Sequence, residues 1–339
     1  MRHRLIPTIL CVLSACIHIG SAAPEEGFEL VLRSRGGGDA ELLTLAPQRW
    51  DPSKTAVIVC DMWDAHHCLN ATRRVGELAP RIDRFISEVR DAGGTVIHAP
   101  SSCMEFYKDH PARQRVLDTP VAESLPEGIG AWLDWIDAAE EAAGYPIDHS
   151  DGGEDDDPEE HAAWAKELAE MGKNPKAPWT RQIGVIGIDA ERDFITDDGA
   201  QNWTILSKRG IENVMLVGVH TNMCVLGRPF GLRQMAKNGK NVVLVRDLTD
   251  TMYNPAMRPM VSHFEGTDLI VEHVEKFVCP TISSEQLLGG AAQRFAGDGR
   301  KSLVMMIGEK EYKTIETLPA FAKQHLSEQF RASFATPDP

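Results

Sequence analysis

Two segments of this chain place residues capable of covalent chemistry directly after short apolar runs. The first is Thr55-Ala-Val-Ile-Val-Cys60, which ends at Asp61. The second is Val214-Met-Leu-Val217, followed by Gly218-Val219-His220-Thr221-Asn222-Met223-Cys224-Val225. A cysteine in the first turn of a helix has its thiolate favoured by the helix dipole and by unpaired backbone N–H groups, which also suit an oxyanion. A nearby carboxylate can take the thiol proton and later hand it to a leaving group. Asp61 and Cys224 are therefore the candidate acid/base and nucleophile, and Cys224 is expected to titrate below the ordinary thiol value of about 8.5.

The surrounding elements must bring the two together. The run TAVIVC is short and β-branched, as suits a strand buried on both faces of a parallel sheet. From Val75 to Ala92, Leu78, Ile82, Phe85, Ile86 and Val89 recur at helical spacing, Gly93-Gly94 closes the helix, and a strand over 95–98 follows. Alternation resumes with a strand over 185–188, a helix over 200–209, a strand over 214–219, a helix over 224–237 and a strand over 242–245. A helix over 260–266 and a strand over 269–273 close the series. This pattern predicts a three-layer α/β/α fold with a doubly wound, mainly parallel sheet, and such sheets carry their sites at the carboxyl ends of the strands.

Between these blocks, residues 101–180 form a polar insertion on the rim of the sheet, with a helix over 161–171. Its acidic run, 151–160, does not have EF-hand spacing and reads as a solvated charge run. Beyond the core, 301–312 and the helical stretch 318–330 form a further strand–loop–helix unit. The chain thus divides into an N-terminal segment over 1–23, a main domain over 40–288 and a C-terminal extension over 289–339, a possible stub of a second α/β domain.

The segments Val57-Ile-Val-Cys-Asp61-Met62, Gly210-Ile-Glu-Asn-Val-Met-Leu-Val-Gly-Val219 and His220-Thr-Asn-Met-Cys224-Val225 resemble the isochorismatase-like cysteine hydrolases, a superfamily that includes nicotinamidases, N-carbamoyl amino-acid amidases and isochorismatases. The resemblance implies a catalytic aspartate at Asp61, a nucleophile at Cys224 and a cis peptide at Val219-His220 that shapes an oxyanion hole. It also implies a catalytic lysine after the strand that precedes the helix over 200–209, but this chain reads Ile188-Asp-Ala-Glu-Arg-Asp-Phe-Ile-Thr-Asp-Asp198 there. Arg192 is the nearest cation. It could favour a thiolate but cannot share a proton as lysine does.

The metal-binding members of that family carry an Asp-x-His pair after the second strand, where this chain has His98-Ala-Pro-Ser-Ser-Cys103. Histidines gather instead at His66 and His67, so the chemistry requires no cofactor, with a divalent metal at His66 and His98 as the alternative. Trp63 stands where many relatives have glutamine and, with His66, is a candidate for contacting substrate. The implied function is hydrolysis of a C–N bond in a small amide or ureido compound. A vinyl-ether hydrolase and a non-catalytic ligand-binding protein with this fold are the alternatives.

The ends and the composition bear on compartment and partners. Met1-Arg-His-Arg4, the apolar run 5–19 and Gly20-Ser-Ala-Ala23 read as a bacterial-type export signal, which predicts a periplasmic or extracellular protein. Leu13-Ser-Ala-Cys16 resembles a lipobox, so membrane attachment would follow only from lipidation at Cys16. Without the signal the chain keeps Cys60, Cys68, Cys103, Cys224 and Cys279, an odd number that leaves a free thiol even if Cys68 and Cys103 pair. The net charge of −15 argues against a nucleic-acid partner, so the expected partner is a small-molecule substrate, with a homo-oligomer possible.

Overall fold

The computed structural model describes residues 27–36, 43–308 and 312–335. The export segment expected over 1–23, with Cys16, lies outside the described residues. The chain opens with β1 (Phe28–Arg35), β2 (Leu43–Trp50), β3 (Thr55–Cys60), α1 (Leu69–Asp91) and β4 (Thr95–Ala99). Next come α2 (Pro111–Asp118), α3 (Ala138–Ala143) and α4 (Pro158–Glu170). The core resumes with β5 (Phe194–Ile195), α5 (Gly199–Lys208), β6 (Asn213–Val219), α6 (Leu232–Lys237), β7 (Asn241–Asp250), α7 (His263–Phe277), β8 (Thr281–Ile282) and α8 (Glu285–Leu288). A unit of β9 (Lys301–Met306), α9 (Thr314–His325) and β10 (Phe330–Ala335) ends the described chain.

The main sheet runs β2-β1-β8-β7-β6-β3-β4-β5. Its strands from β3 to β8 pair in parallel, while β1 lies antiparallel to both β2 and β8. Side chains of β3 alternate between two apolar layers, because successive residues of a strand face opposite sides. Ala56, Ile58 and Cys60 pack with residues of α5, α6 and α7 on one face. Val57 and Val59 pack with Val75, Leu78, Ile82, Phe85, Ile86 and Val89 of α1 on the other. This is the expected three-layer arrangement around a mainly parallel sheet. The sheet reaches back to Phe28, ahead of the start expected at 40.

Three local expectations are corrected. Residues 185–188 form no strand; the edge strand is β5, which pairs with Ile97 and His98 of β4. Glycines at 184 and 187 interrupt the apolar run, and Val185 is exposed. The expected helix over 224–237 is instead a π-type turn over Thr221–Val225 followed by the short α6. The expected helix over 260–266 and strand over 269–273 are one helix, α7. Its Ser262 side chain accepts from the Glu265 N–H as an N-cap, and one helix face buries Ile270, Val271 and Val274.

The C-terminal unit pairs β9 with β10 in parallel as a separate two-stranded sheet. It docks on α7 through ion pairs of Arg300 and Arg331 with Asp268, and of Lys323 with Glu272.

Candidate active site

At the end of β3 the backbone turns abruptly. Asp61 sits at φ +47, a conformation that costs a non-glycine residue about 1–3 kcal/mol and persists only where its surroundings impose it. Its N–H donates to the Ala99 carbonyl at 3.1 Å, and its Oδ1 accepts from the Ser101 N–H at 2.7 Å. On the neighbouring strand, Gly218 at φ +107 lies so close to β3 that a Cβ would run into the Cys60 carbonyl oxygen. Glycine is thus required for β6 to close against β3 where Asp61 begins.

The chain then passes through a cis Val219–His220 peptide, as the resemblance implied, into the turn that carries Cys224. Side chains tie this turn down. Thr221 Oγ1 donates to the Asp250 carbonyl at 2.9 Å, and Asn222 exchanges hydrogen bonds with the Met252 backbone at 2.9 and 3.0 Å. Because β3 and β6 pair directly, their carboxyl ends bring Asp61 and Cys224 together, and the thiol interacts with the carboxylate.

The cation of this group is Arg228, one helical turn beyond Cys224. Its Nη2 lies 3.4 Å from Asp61 Oδ2, and its guanidinium interacts with the thiol. Burial pushes the Asp61 carboxyl up, opposed by Arg228 and by the Ser101 hydrogen bonds. Burial and then the Asp61 charge push the Cys224 thiol up, with Arg228 opposing. This runs opposite to the expectation of a low-titrating thiolate: burial and the neighbouring carboxylate favour the thiol form of Cys224.

Arg192 does not join this group. It pairs with Asp189 at 2.7 Å and Asp91 at 3.2 Å, half exposed, before β5 and beside the carboxyl end of α1, at the far end of the strands from Asp61. Placing a strand at 185–188 had put Arg192 after its carboxyl end; the actual strand begins after Arg192. Arg228 lies outside the segments that carry the resemblance, and its i,i+4 spacing from Cys224 was the one signal for it in the sequence.

Trp63 is buried, donates from Nε1 to the Ser101 carbonyl at 3.1 Å and stacks on Trp179 at 4.7 Å. His66 packs against Trp179 and edge-on to His220 at 5.0 Å. Its Nδ1 accepts the Cys68 N–H, and burial lowers its affinity for a proton, so the ring is neutral with Nε2 protonated. His98 is corrected as a metal candidate, since both of its nitrogens are engaged, by Gln182 at 3.0 Å and by Asp193 at 3.1 Å. Among the described residues, His66 and His98 do not share a group of closely spaced ligand atoms. Within the cluster around Cys224, Arg228 Nε is buried without a hydrogen-bond partner. Buried polar atoms are rarely left so, and a polar ligand beside Cys224 would satisfy it.

The acidic run is exposed at Asp151, Asp157, Glu159 and Glu160, as a solvated face would be, but its centre is not. Asp155 accepts from Arg74 at 2.8 and 3.0 Å, and Asp156 accepts the Leu69 and Asn70 N–H groups at the start of α1. Arg74 also pairs with Asp250 at 2.7 Å, and His263 bridges Asp250 at 2.9 Å and Asp155 at 3.2 Å. This buried quartet fastens the insertion to the sheet below His220. Cys68 and Cys103 are both unpaired thiols.

No protein-family model matches the chain, and no curated protein matches it. Among solved structures it is similar to a cysteine hydrolase from Pseudomonas syringae pv. phaseolicola 1448A, at 16% identity over 71% of this chain and 95% of that one, with a TM-score of 0.39. It is also similar to N-carbamoylsarcosine amidase from Thermoplasma acidophilum, at 15% identity over 58% and 83% with a TM-score of 0.31. An isochorismatase family protein from Desulfovibrio vulgaris subsp. vulgaris str. Hildenborough matches at 11% identity over 65% and 89%, with a TM-score of 0.34.

Proposed function

We propose that this protein is a thiol-dependent hydrolase of the isochorismatase-like type that cleaves a C–N bond in a small amide or ureido compound. The observation that carries the reading is the meeting of the Cys224 thiol, the Asp61 carboxylate and the Arg228 guanidinium in one buried group at the carboxyl ends of paired strands. Asp61 takes the thiol proton as Cys224 Sγ bonds to the substrate carbonyl carbon, and the carbonyl electron pair moves onto oxygen. Collapse of that adduct breaks the C–N bond, and the Asp61 proton passes to the leaving nitrogen. Water then attacks the acyl-thiol, Asp61 accepting its proton and returning one to sulfur.

A thiol held in its neutral form suits this sequence, because proton removal is coupled to attack instead of preceding it. Trp63 and Trp179 offer a flat apolar wall, and the free Nε–H of Arg228 offers a polar contact. The test is a screen of small primary amides and ureido compounds for ammonia release, with Cys224→Ser and Asp61→Asn as controls. Turnover lost by orders of magnitude in both variants is the expected result. Turnover that survives Cys224→Ser would refute the mechanism, and absence of turnover on every compound would favour a ligand-binding protein.

A further inference from the structure

We infer, resting on the thiol-hydrolase reading above, that Arg228 supplies the fixed positive charge of the reaction and that Trp132 of the rim insertion holds its guanidinium in place. The residue sits on the turn after the nucleophile, its backbone N–H donating to the Cys224 carbonyl at 3.1 Å, so the two side chains leave the same stretch of backbone. Its Nη2 is 3.4 Å from Asp61 Oδ2, and its side chain is 28% exposed. Nε is buried with no partner, leaving one N–H available to an oxygen arriving beside Cys224.

What fixes the guanidinium comes from elsewhere in the chain. Its carbon lies 5.5 Å from the centre of the Trp132 ring, in cation–π contact. That indole presses so closely on residue 227 that any Cβ there would collide with it, so Gly227 is what admits Trp132 beside Arg228. The insertion around Trp132 is fastened on both sides. The Leu133 N–H donates to the Gly227 carbonyl at 2.9 Å, and Gln234 Nε2 donates to the Gly128 and Ala131 carbonyls at 2.9 and 2.8 Å. Arg233 donates to the Leu133 carbonyl and pairs with fully buried Glu140 at 2.6 Å, and Glu140 also meets His273 at 2.9 Å. A segment that looks like a substrate-facing loop thus positions a charge at the reacting sulfur.

Chemically, a guanidinium stays protonated throughout, so Asp61 alone moves protons while Arg228 balances the negative charge that passes from carboxylate to sulfur to carbonyl oxygen. The charged and titratable groups facing the thiol are Asp61, Arg228 and the thiol of Cys60, with Cys103 facing Asp61.

The experiment follows the rate of iodoacetamide labelling at Cys224 by peptide mass spectrometry, on the folded full chain, with circular dichroism as the folding control. Burial already holds this thiol above the ordinary range, so the readout is the labelling rate at fixed pH, about 7 and about 8.5. Arg228→Gln should slow labelling about tenfold or more, since an opposite charge at this range shifts a titration by about one pH unit or more. Arg228→Lys should keep most of the wild-type rate, Trp132→Leu should lower it, and Asp61→Asn should raise it. A rate in folded Arg228→Gln equal to that of wild type overturns the inference. Should Arg228→Gln not fold, an unchanged rate in Trp132→Leu overturns it. Labelling needs no substrate, so a failed amide screen tells against the hydrolase reading while the rates still decide the role of Arg228.

Discussion

His263 is buried between two carboxylates, and its geometry dictates its charge. Nε2 faces Asp250 Oδ1 at 2.9 Å, while Nδ1 faces both the Tyr253 carbonyl at 2.9 Å and Asp155 Oδ2 at 3.2 Å. Every partner is an acceptor, so both ring nitrogens must carry protons and the ring is an imidazolium. Although burial opposes the charge, the two carboxylates raise its titration from 6.5 to about 9. A histidine whose folded value exceeds its unfolded one contributes stability that is complete below the unfolded value and is lost as pH rises through the folded value. The separation from 6.5 to about 9, at about 1.4 kcal/mol per tenfold change in proton affinity, corresponds to at most about 3 kcal/mol. Asp155 and Asp250 are held below their ordinary value of 3.8 by Arg74 and His263, so their contribution is intact above that pH and does not vary in this window. The buried thiols, pushed upward from 9.0, weaken the fold only as pH approaches that value and do so in wild type and variant alike, so the difference between the two isolates His263. Urea unfolding of wild type and His263→Gln at intervals between pH 6.5 and 9 is the assay. Wild type should lose up to about 3 kcal/mol across the range, whereas the variant, weaker at the acid end, should change little. A difference between the two that stays constant with pH would refute the imidazolium assignment.

Two further substitutions probe the frame around the site. Gly218→Ala places a Cβ against the Cys60 carbonyl at φ +107, so it should cost at least about 1–3 kcal/mol and slow Cys224 labelling; an unchanged thermal midpoint would contradict the close approach of β6 to β3. Arg233→Met leaves Glu140 buried with His273 and the Ile136 N–H but no guanidinium beside it, and a broken buried pair costs about 3–5 kcal/mol. A loss below about 1 kcal/mol in chemical denaturation would show that the pair is not desolvated as the structure has it.

The sequence by itself determined the architecture and the meeting of Asp61 with Cys224. Runs such as TAVIVC and VMLV read as strands covered on both faces, and the residues after each such strand emerge at the same end of a parallel sheet. The choice of Cys224 as candidate nucleophile rested on the motif around it as well. Local pattern failed where a short apolar run had two uses. The run over 269–274 reads as a strand by its β-branched residues, yet the Ser262 cap and the core beneath make it part of α7. The run over 185–188 likewise reads as a strand, but β4 takes Phe194–Ile195 as its neighbour, and that shift carried Arg192 to the wrong end of the sheet and out of the site.

Only the tertiary structure decided what the charged residues do, because pairing depends on which chain segments meet and not on their spacing. The acidic run looks like a solvated surface until Arg74, His263 and the start of α1 are set against it. Cys224 looks activated by a helix start until burial and Asp61 outweigh that dipole. Arg228 takes on its role only when β3 brings Asp61 to it and Trp132, nearly a hundred residues earlier in the chain, comes to rest on its guanidinium.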